Sequence, residues 1–145
     1  MARRSFELSC MMREDLLMAY RNVYATCRTQ KEAYQKTVRS PAPRFYVTPK
    51  QAWERLRHMV VGDFTEVDQL NELYKKMYYE LFEKMQILSQ RKEFFGKSLW
   101  FICQFLVSQP ASQFFITPET FSDIFQSIRK YGKEYHFKET RRKFD

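Results

Sequence analysis

A chain of 145 residues with three glycines, five prolines and 17% aromatic residues lacks the composition of a turn-rich β protein or of a disordered one. It is long enough to bury a core, either as one domain or as two half-domains sharing one. Its 25 Lys/Arg against 17 Asp/Glu give a formal charge of +8, which points to a polyanion: nucleic acid, an anionic membrane surface or an acidic protein.

The first segment, MARRSFELSC, has two arginines but no apolar core of signal-peptide length. Met12 to Cys27 sets Leu16, Tyr20, Val23, Tyr24 and Cys27 on one stripe, which predicts an amphipathic helix. Thr29 with Glu32 forms a capping-box pattern, so a second helix is expected from Gln30 to about Val38, stopped by Ser40-Pro41. PAPRFYVTP follows from Pro41. There Thr48 is the expected N-cap, Pro49 takes the first helical position, and Gln51 completes a second box for a helix running to Val61 and closed by Gly62. Asp63 with Glu66 opens the longest predicted helix, Thr65 to about Lys92, in which Val67, Leu70, Leu73, Met77, Leu81, Met85 and Leu88 recur at three and four. Gly96 interrupts the pattern. Ser98 to Val107 is apolar on nearly every side, which predicts a central helix buried all round, with Leu99, Phe101, Ile102 and Phe105 inside. Its apolar run is too short to span a bilayer, so no membrane insertion is expected. PASQFFITP then leads from Pro110 into a helix from Pro118 to Lys130, and residues 131–145 read as a polar, basic tail.

The two nonamers begin at Pro41 and Pro110, 69 residues apart, and share the pattern PAxxF(Y/F)(V/I)TP. Each is preceded by a long and a short helix and followed by a capped one. The expected fold is therefore all-α, about six helices in a single domain 1–145. Its repeat units, 12–61 and 66–130, would be two similar three-helix halves around one core. The segments MMREDLL, PAPRFYVTP, GDF, MYYELFE, GKSLWFI and PASQFFITP, spread over residues 11–128, resemble a family of small, basic bacterial helical proteins carrying a PAPRFYVTP-type motif. That resemblance implies no activity, cofactor or site residue.

Charge is unevenly spread: residues 21–57 carry nine Lys/Arg and two Asp/Glu, residues 58–128 six and nine. At the 69-residue offset Lys36 faces Phe105, Arg39 faces Ser108, Arg44 faces Gln113, Lys50 faces Glu119, Arg55 faces Ile124 and Arg57 faces Gln126. A merely solvated face mixes signs, and this one hardly does. The first expectation is nucleic-acid binding, DNA in preference to RNA, by an accessory or regulatory protein of a bacterial or mobile genome. Helices 30–38 and 49–61 would form a helix-turn-helix-like pair, with Lys36, Arg39, Arg44, Tyr46, Lys50, Gln51, Arg55 and Arg57 at phosphates and bases. The ten-residue linker from Arg39 to Thr48 is longer than that motif's usual turn. The alternative is a helical adaptor whose basic face holds an acidic protein partner. In either case the second copy's apolar short helix offers a self-association face for a homodimer.

No catalysis, metal or cofactor is expected. His58 and His136 are the only histidines, and no HExxH, Walker or GxSxG pattern occurs. Cys10, Cys27 and Cys103 are odd in number and far apart, without a disulfide framework or CxxC spacing. They read as small buried hydrophobes of a cytoplasmic protein.

Overall fold

The computed structural model describes residues 5–131, and every regular element among them is helical. Helix α1 spans Phe6–Val23 and runs into a 3-10 turn at Tyr24–Thr26; α2 is Gln30–Arg39 and α3 Pro49–Val60. Then come α4, Thr65–Asp68, α5, Glu72–Ser89, a second 3-10 turn at Lys92–Phe94, α6, Leu99–Leu106, and α7, Pro118–Tyr131. The expected basic tail lies, from residue 132 on, outside the described residues.

Side-chain oxygens start the helices by accepting from first-turn amides that the helix itself leaves without a partner. Thr29 Oγ1 accepts from the Glu32 amide at 3.1 Å. Thr48 Oγ1 accepts from the Gln51 amide at 3.1 Å while Gln51 Oε1 accepts from the Thr48 amide at 3.0 Å. Thr117 Oγ1 accepts from the Thr120 amide at 3.1 Å. Helix α3 closes on Gly62 at φ 86°, whose amide donates to the Met59 carbonyl while the Asp63 amide reaches the His58 carbonyl. A residue with a Cβ would strain that left-handed position.

Boundaries differ from expectation in the first helix, which also ends at Val23 rather than Cys27, and in the long one. Helix α1 begins at Phe6 rather than Met12, because Ser5 Oγ accepts from the Leu8 amide at 3.2 Å and caps it there. The long helix expected over Thr65–Lys92 is two helices. Helix α4 ends at Asp68, and Asn71 Oδ1, accepting from the Tyr74 amide at 3.0 Å, starts α5 afresh. Asp63 bonds the Thr65 amide at 3.1 Å instead of capping with Glu66.

Packing divides the chain into two compact units, Pro41–Phe115, and Ser5–Ser40 with the residues from Ile116 onward. In the first, α3, α5 and α6 pack on one another around Phe45, Leu56, Met59, Leu81, Leu106 and Phe114, all fully buried. In the second, α1, α2 and α7 pack together around Leu16, Thr37 and Phe121. There Tyr20, Tyr34 and Phe125 close ring to ring on Phe121, and the Thr37 hydroxyl donates to the Ala33 carbonyl at 2.7 Å.

The compact units therefore differ from the expected division at 12–61 and 66–130: each takes its capped helix from the other half of the sequence. The nonamers supply the physical reason. Within the Pro41–Phe115 unit Ala42 and Ala111 exchange backbone hydrogen bonds of 3.0 and 2.9 Å, and the Phe45 amide donates to the Val107 carbonyl at 3.0 Å. Phe45 stacks on Phe115 at 6.2 Å and Tyr46 on Phe114 at 5.9 Å. This pairing is an isolated antiparallel bridge rather than a pair of strands, and it holds the entry to α3 in the unit of α5 and α6. Phe115 makes its stack from φ 58°, a left-handed conformation that costs a residue with a side chain roughly 1–2 kcal/mol.

Burial repeats at the 69-residue offset. Helix α2 buries Ala33, Tyr34, Thr37 and Val38, and at the matching positions Ile102, Cys103, Leu106 and Val107 are buried in and just after α6. Leu8, Met12 and Leu16 of α1 are matched by Met77, Leu81 and Met85 of α5.

Candidate interaction surface

Helix α6 is capped by Ser98, whose Oγ accepts from the Phe101 amide at 3.2 Å. Its core face is spent on Ile102, Cys103 and Leu106. The other face is aromatic and open: Trp100 is 46% exposed, Phe101 38%, Phe105 45%, and Phe95 just ahead of the helix 80%. The expectation of a helix buried all round, with Phe101 and Phe105 inside, is thus corrected; Leu99 is half-buried and only Ile102 of the four named is buried. Helices α3 and α5 are the main neighbours of α6 within its unit, and two neighbours leave part of a helix's circumference of side chains open.

The exposed rings fall into two groups, Phe94 with Phe101 and Phe105, and Trp53 with Trp100. Phe105 meets Phe94 edge-on at 5.2 Å and lies 5.2 Å from Phe101, while Trp100 meets Trp53 of α3 edge-on at 5.5 Å. A cation lies on each: Lys97 Nζ is 5.3 Å from the centre of the Phe101 ring, and the Arg57 guanidinium 5.1 Å from that of Trp53. Helix α2 marks what the same helix needs for water. At the positions of Trp100, Phe101 and Phe105 it carries Lys31, Glu32 and Lys36, the last two 3.5 Å apart as an ion pair. The exposed aromatic rings of α6 are therefore surplus to the packing of its unit, and clustered exposed aromatic surface marks interaction sites.

The sequence-predicted residues fare unequally. Arg39 and Lys50 are exposed. Lys36 is paired with Glu32, and Arg57 lies on Trp53. Arg55 Nη1 donates to the Glu66 carboxylate at 3.2 Å, and its guanidinium sits 5.6 Å from the centre of the Tyr78 ring. Arg44 Nε donates to the Phe45 carbonyl at 3.1 Å. Gln51 is engaged in the α3 capping box. Tyr46 is 4% exposed, so its ring cannot stack on a base. Lys36 and Arg39 belong to one compact unit and the other six residues to the other. The helices expected as a helix-turn-helix pair thus fall in separate units, whereas that motif packs both in one.

Tyr46, Gln51, Arg55 and Arg57 do come together, lining a cleft of about 270 Å³ with His58, Glu66, Tyr74 and Tyr78 among its other walls. Burial holds the Tyr78 hydroxyl above the usual tyrosine range, with Arg55 pulling the other way. Asp63, beside His58 at 3.9 Å, is held below the carboxylate range by hydrogen bonds from Thr65. Burial alone pushes the Cys103 thiol up to about 11.

Among the described residues no group of three or more His, Cys, Asp or Glu could hold a metal ion, and no helix is long and apolar enough to cross a membrane. Sequence reasoning offered the apolar short helix as a self-association face but named none of Trp100, Phe101, Phe105 and Lys97 as its surface residues. The signal that finds them is the offset itself, since aromatics stand where the first copy has Lys31, Glu32 and Lys36. Comparison of the chain with protein-family models, curated proteins and solved structures finds no match.

Proposed function

We propose that the protein is a helical docking module whose α6 face receives an acidic, apolar segment of another protein. The observation that carries this reading is the open aromatic surface of Trp100, Phe101 and Phe105 at positions where the matching helix is charged. Charge complementarity chooses the occupant. Arg91, Lys92 and Lys97 precede the rings with Glu93 as the one acid between residues 91 and 105, and Arg57 borders them on α3. A second copy would bring the same cations face to face, a repulsive juxtaposition, whereas glutamates flanking apolar anchors would meet them favourably.

We also infer that the chain is an internal duplication whose halves have exchanged their capped helices. The shared nonamers, the matched caps at Thr48 and Thr117 and the burial pattern at the 69-residue offset support it. Duplication explains how one short helix could keep a solvated face while the other acquired a binding one.

Both tryptophans of the chain, Trp53 and Trp100, lie on the proposed surface, so their emission reports its occupancy. A helical peptide of about 18 residues, with a leucine-phenylalanine stripe and glutamates opposite, should blue-shift that emission with a Kd on the order of 10 μM, weakening with salt. The same peptide with lysines for glutamates should bind at least about tenfold less well. Replacing the face with its α2 counterparts, Trp100→Lys, Phe101→Glu and Phe105→Lys, should abolish the shift in the remaining Trp53 while keeping the helical CD signal. Equal binding of both peptides, or none of either, defeats the proposal.

Nucleic-acid binding is the second reading, supported by the exposure of Lys50 and Arg57 and by the Arg57 guanidinium on the Trp53 ring, an arrangement that suits single-stranded bases. It requires an affinity that falls linearly in log-log salt by about 0.9 per phosphate contact. The slope should flatten in the variant Arg39→Ser, Arg44→Gln, Lys50→Glu, Arg57→Gln.

A further inference from the structure

The cleft between α3, α4 and α5 shares Arg57 with the border of the aromatic face but is built differently. Its walls bring Tyr74 and Tyr78 together with the apolar Leu70 and Val47, and its polar groups include Arg55, His58 and Glu66. At about 270 Å³ it lies just below the usual range of small-molecule sites, which begins near roughly 300 Å³. The Tyr78 ring holds the Arg55 guanidinium from below at 5.6 Å, and Glu66 accepts from its Nη1 at 3.2 Å. A guanidinium carries five donors in a planar fork suited to a two-point grip on a carboxylate or phosphate. Glu66 is a weak competitor for that grip. Its side chain is 54% exposed, and such a pair adds little stability because water screens it.

We propose that this cleft binds a small anion bearing a planar ring. The ligand's carboxylate or phosphate takes the place of the Glu66 carboxylate on Arg55, and its ring lies against Tyr74 and Tyr78. Burial holds the Tyr78 hydroxyl above the usual tyrosine range, so it can donate a hydrogen bond without repelling the anion. With Glu66 turned away, Arg55 and Arg57 outnumber Glu54 in the lining, which favours an anionic oxygen group over a neutral one. The inference does not depend on what docks on α6.

Calorimetric titration of the full chain with phenylacetate, with adenosine 5′-monophosphate and with neutral phenylacetamide tests it. At least one of the two anions should bind with a Kd on the order of 0.1–1 mM, and phenylacetamide at least about tenfold more weakly. Preference for phenylacetate identifies an organic acid as the source of the anionic group, and preference for the nucleotide a phosphate ester. Arg55→Gln should weaken the preferred anion at least about tenfold, whereas Glu66→Gln, by removing the internal competitor, should tighten it about three- to tenfold. Should Arg55→Gln fail to fold, Glu66→Gln decides: tighter binding supports the site and unchanged binding overturns it. The proposal is also overturned if neither anion binds wild type or Glu66→Gln at about 10 mM, or if the neutral amide binds as well as the acid.

Discussion

Replacing Phe105 with lysine should barely disturb the fold, whereas truncating its neighbour Ile102 should damage it, although both sit on the same eight-residue helix. Ile102 is 4% exposed. Ile102→Ala removes three buried carbons at about 0.8 kcal/mol each. The hole left behind adds about 1 kcal/mol at roughly 24 cal/mol per Å³ if some 40–50 Å³ stays open. The sum is roughly 3–4 kcal/mol. Phe105 is 45% exposed and rests only partly on Phe94 and Phe101. A lysine stem would cover much of the same ground, so Phe105→Lys should cost about 1 kcal/mol or less. Urea denaturation followed by the helical CD signal, with equal m values for the two variants, reads the difference directly. A heat scan should place Ile102→Ala about 10 °C below wild type and Phe105→Lys within about 3 °C. If Phe105→Lys costs as much as Ile102→Ala, the outer face of α6 is structural core and the docking surface does not exist.

Thr48→Ala should cost about 1–2 kcal/mol, because it breaks a reciprocal box, and Thr117→Ala about 1 kcal/mol; equal costs near zero would show that tertiary packing alone starts α3 and α7. Asn71→Ala removes the cap that separates α4 from α5 and should cost about 1 kcal/mol. A gain in stability would mean that the break opposes the folded state. In the native protein iodoacetamide at pH 8 should spare Cys103, buried with its thiol pushed up to about 11, and label the partly exposed Cys10 and Cys27. Intact mass before and after unfolding checks this, and native labelling of Cys103 counts against the burial of α6's core face. Burial holds the Tyr34 and Tyr78 hydroxyls above the ordinary value of 10, and a 2.7 Å hydrogen bond to Asp68 does the same for Tyr79. The folded chain thus keeps protons that the unfolded chain releases near pH 10, so this contribution is complete below that pH and is lost as pH rises past it. Tyr78→Phe should flatten the fall of the urea midpoint above pH 10, and an unchanged slope would contradict the burial of that hydroxyl.

Local chemistry was the legible part of the sequence. Thr29, Thr48 and Gly62 mark helix ends by hydrogen bonds their own side chain or backbone makes, and such signals need no knowledge of distant residues. Periodicity failed where it had no competitor to warn of it. Leu70 and Leu73 continue the apolar spacing across the α4–α5 break, and the decisive bond is made by Asn71, a residue that periodicity counts as neutral. Composition likewise named α6 as apolar without telling which side faces the core, because an all-round apolar helix has no phase. The missing phase was present at the 69-residue offset, where the outer positions Lys31, Glu32 and Lys36 of α2 are unambiguous. Of the predicted basic site, charge count could not reveal that Arg55 would be occupied by Glu66 or Tyr46 buried under Phe114. Those facts depend on α4 and on the pairing of the two nonamers, contacts formed by residues far apart in sequence.

Mapping the acidic amphipathic peptide by amide chemical shifts on the isotope-labelled full chain tests the central claim most directly. The account predicts that shifts concentrate on residues 94–105 and around Trp53 and Arg57, scale with peptide occupancy, and vanish in the Trp100→Lys, Phe101→Glu, Phe105→Lys variant. Shifts that avoid α6, or persist unchanged in that variant, would contradict it.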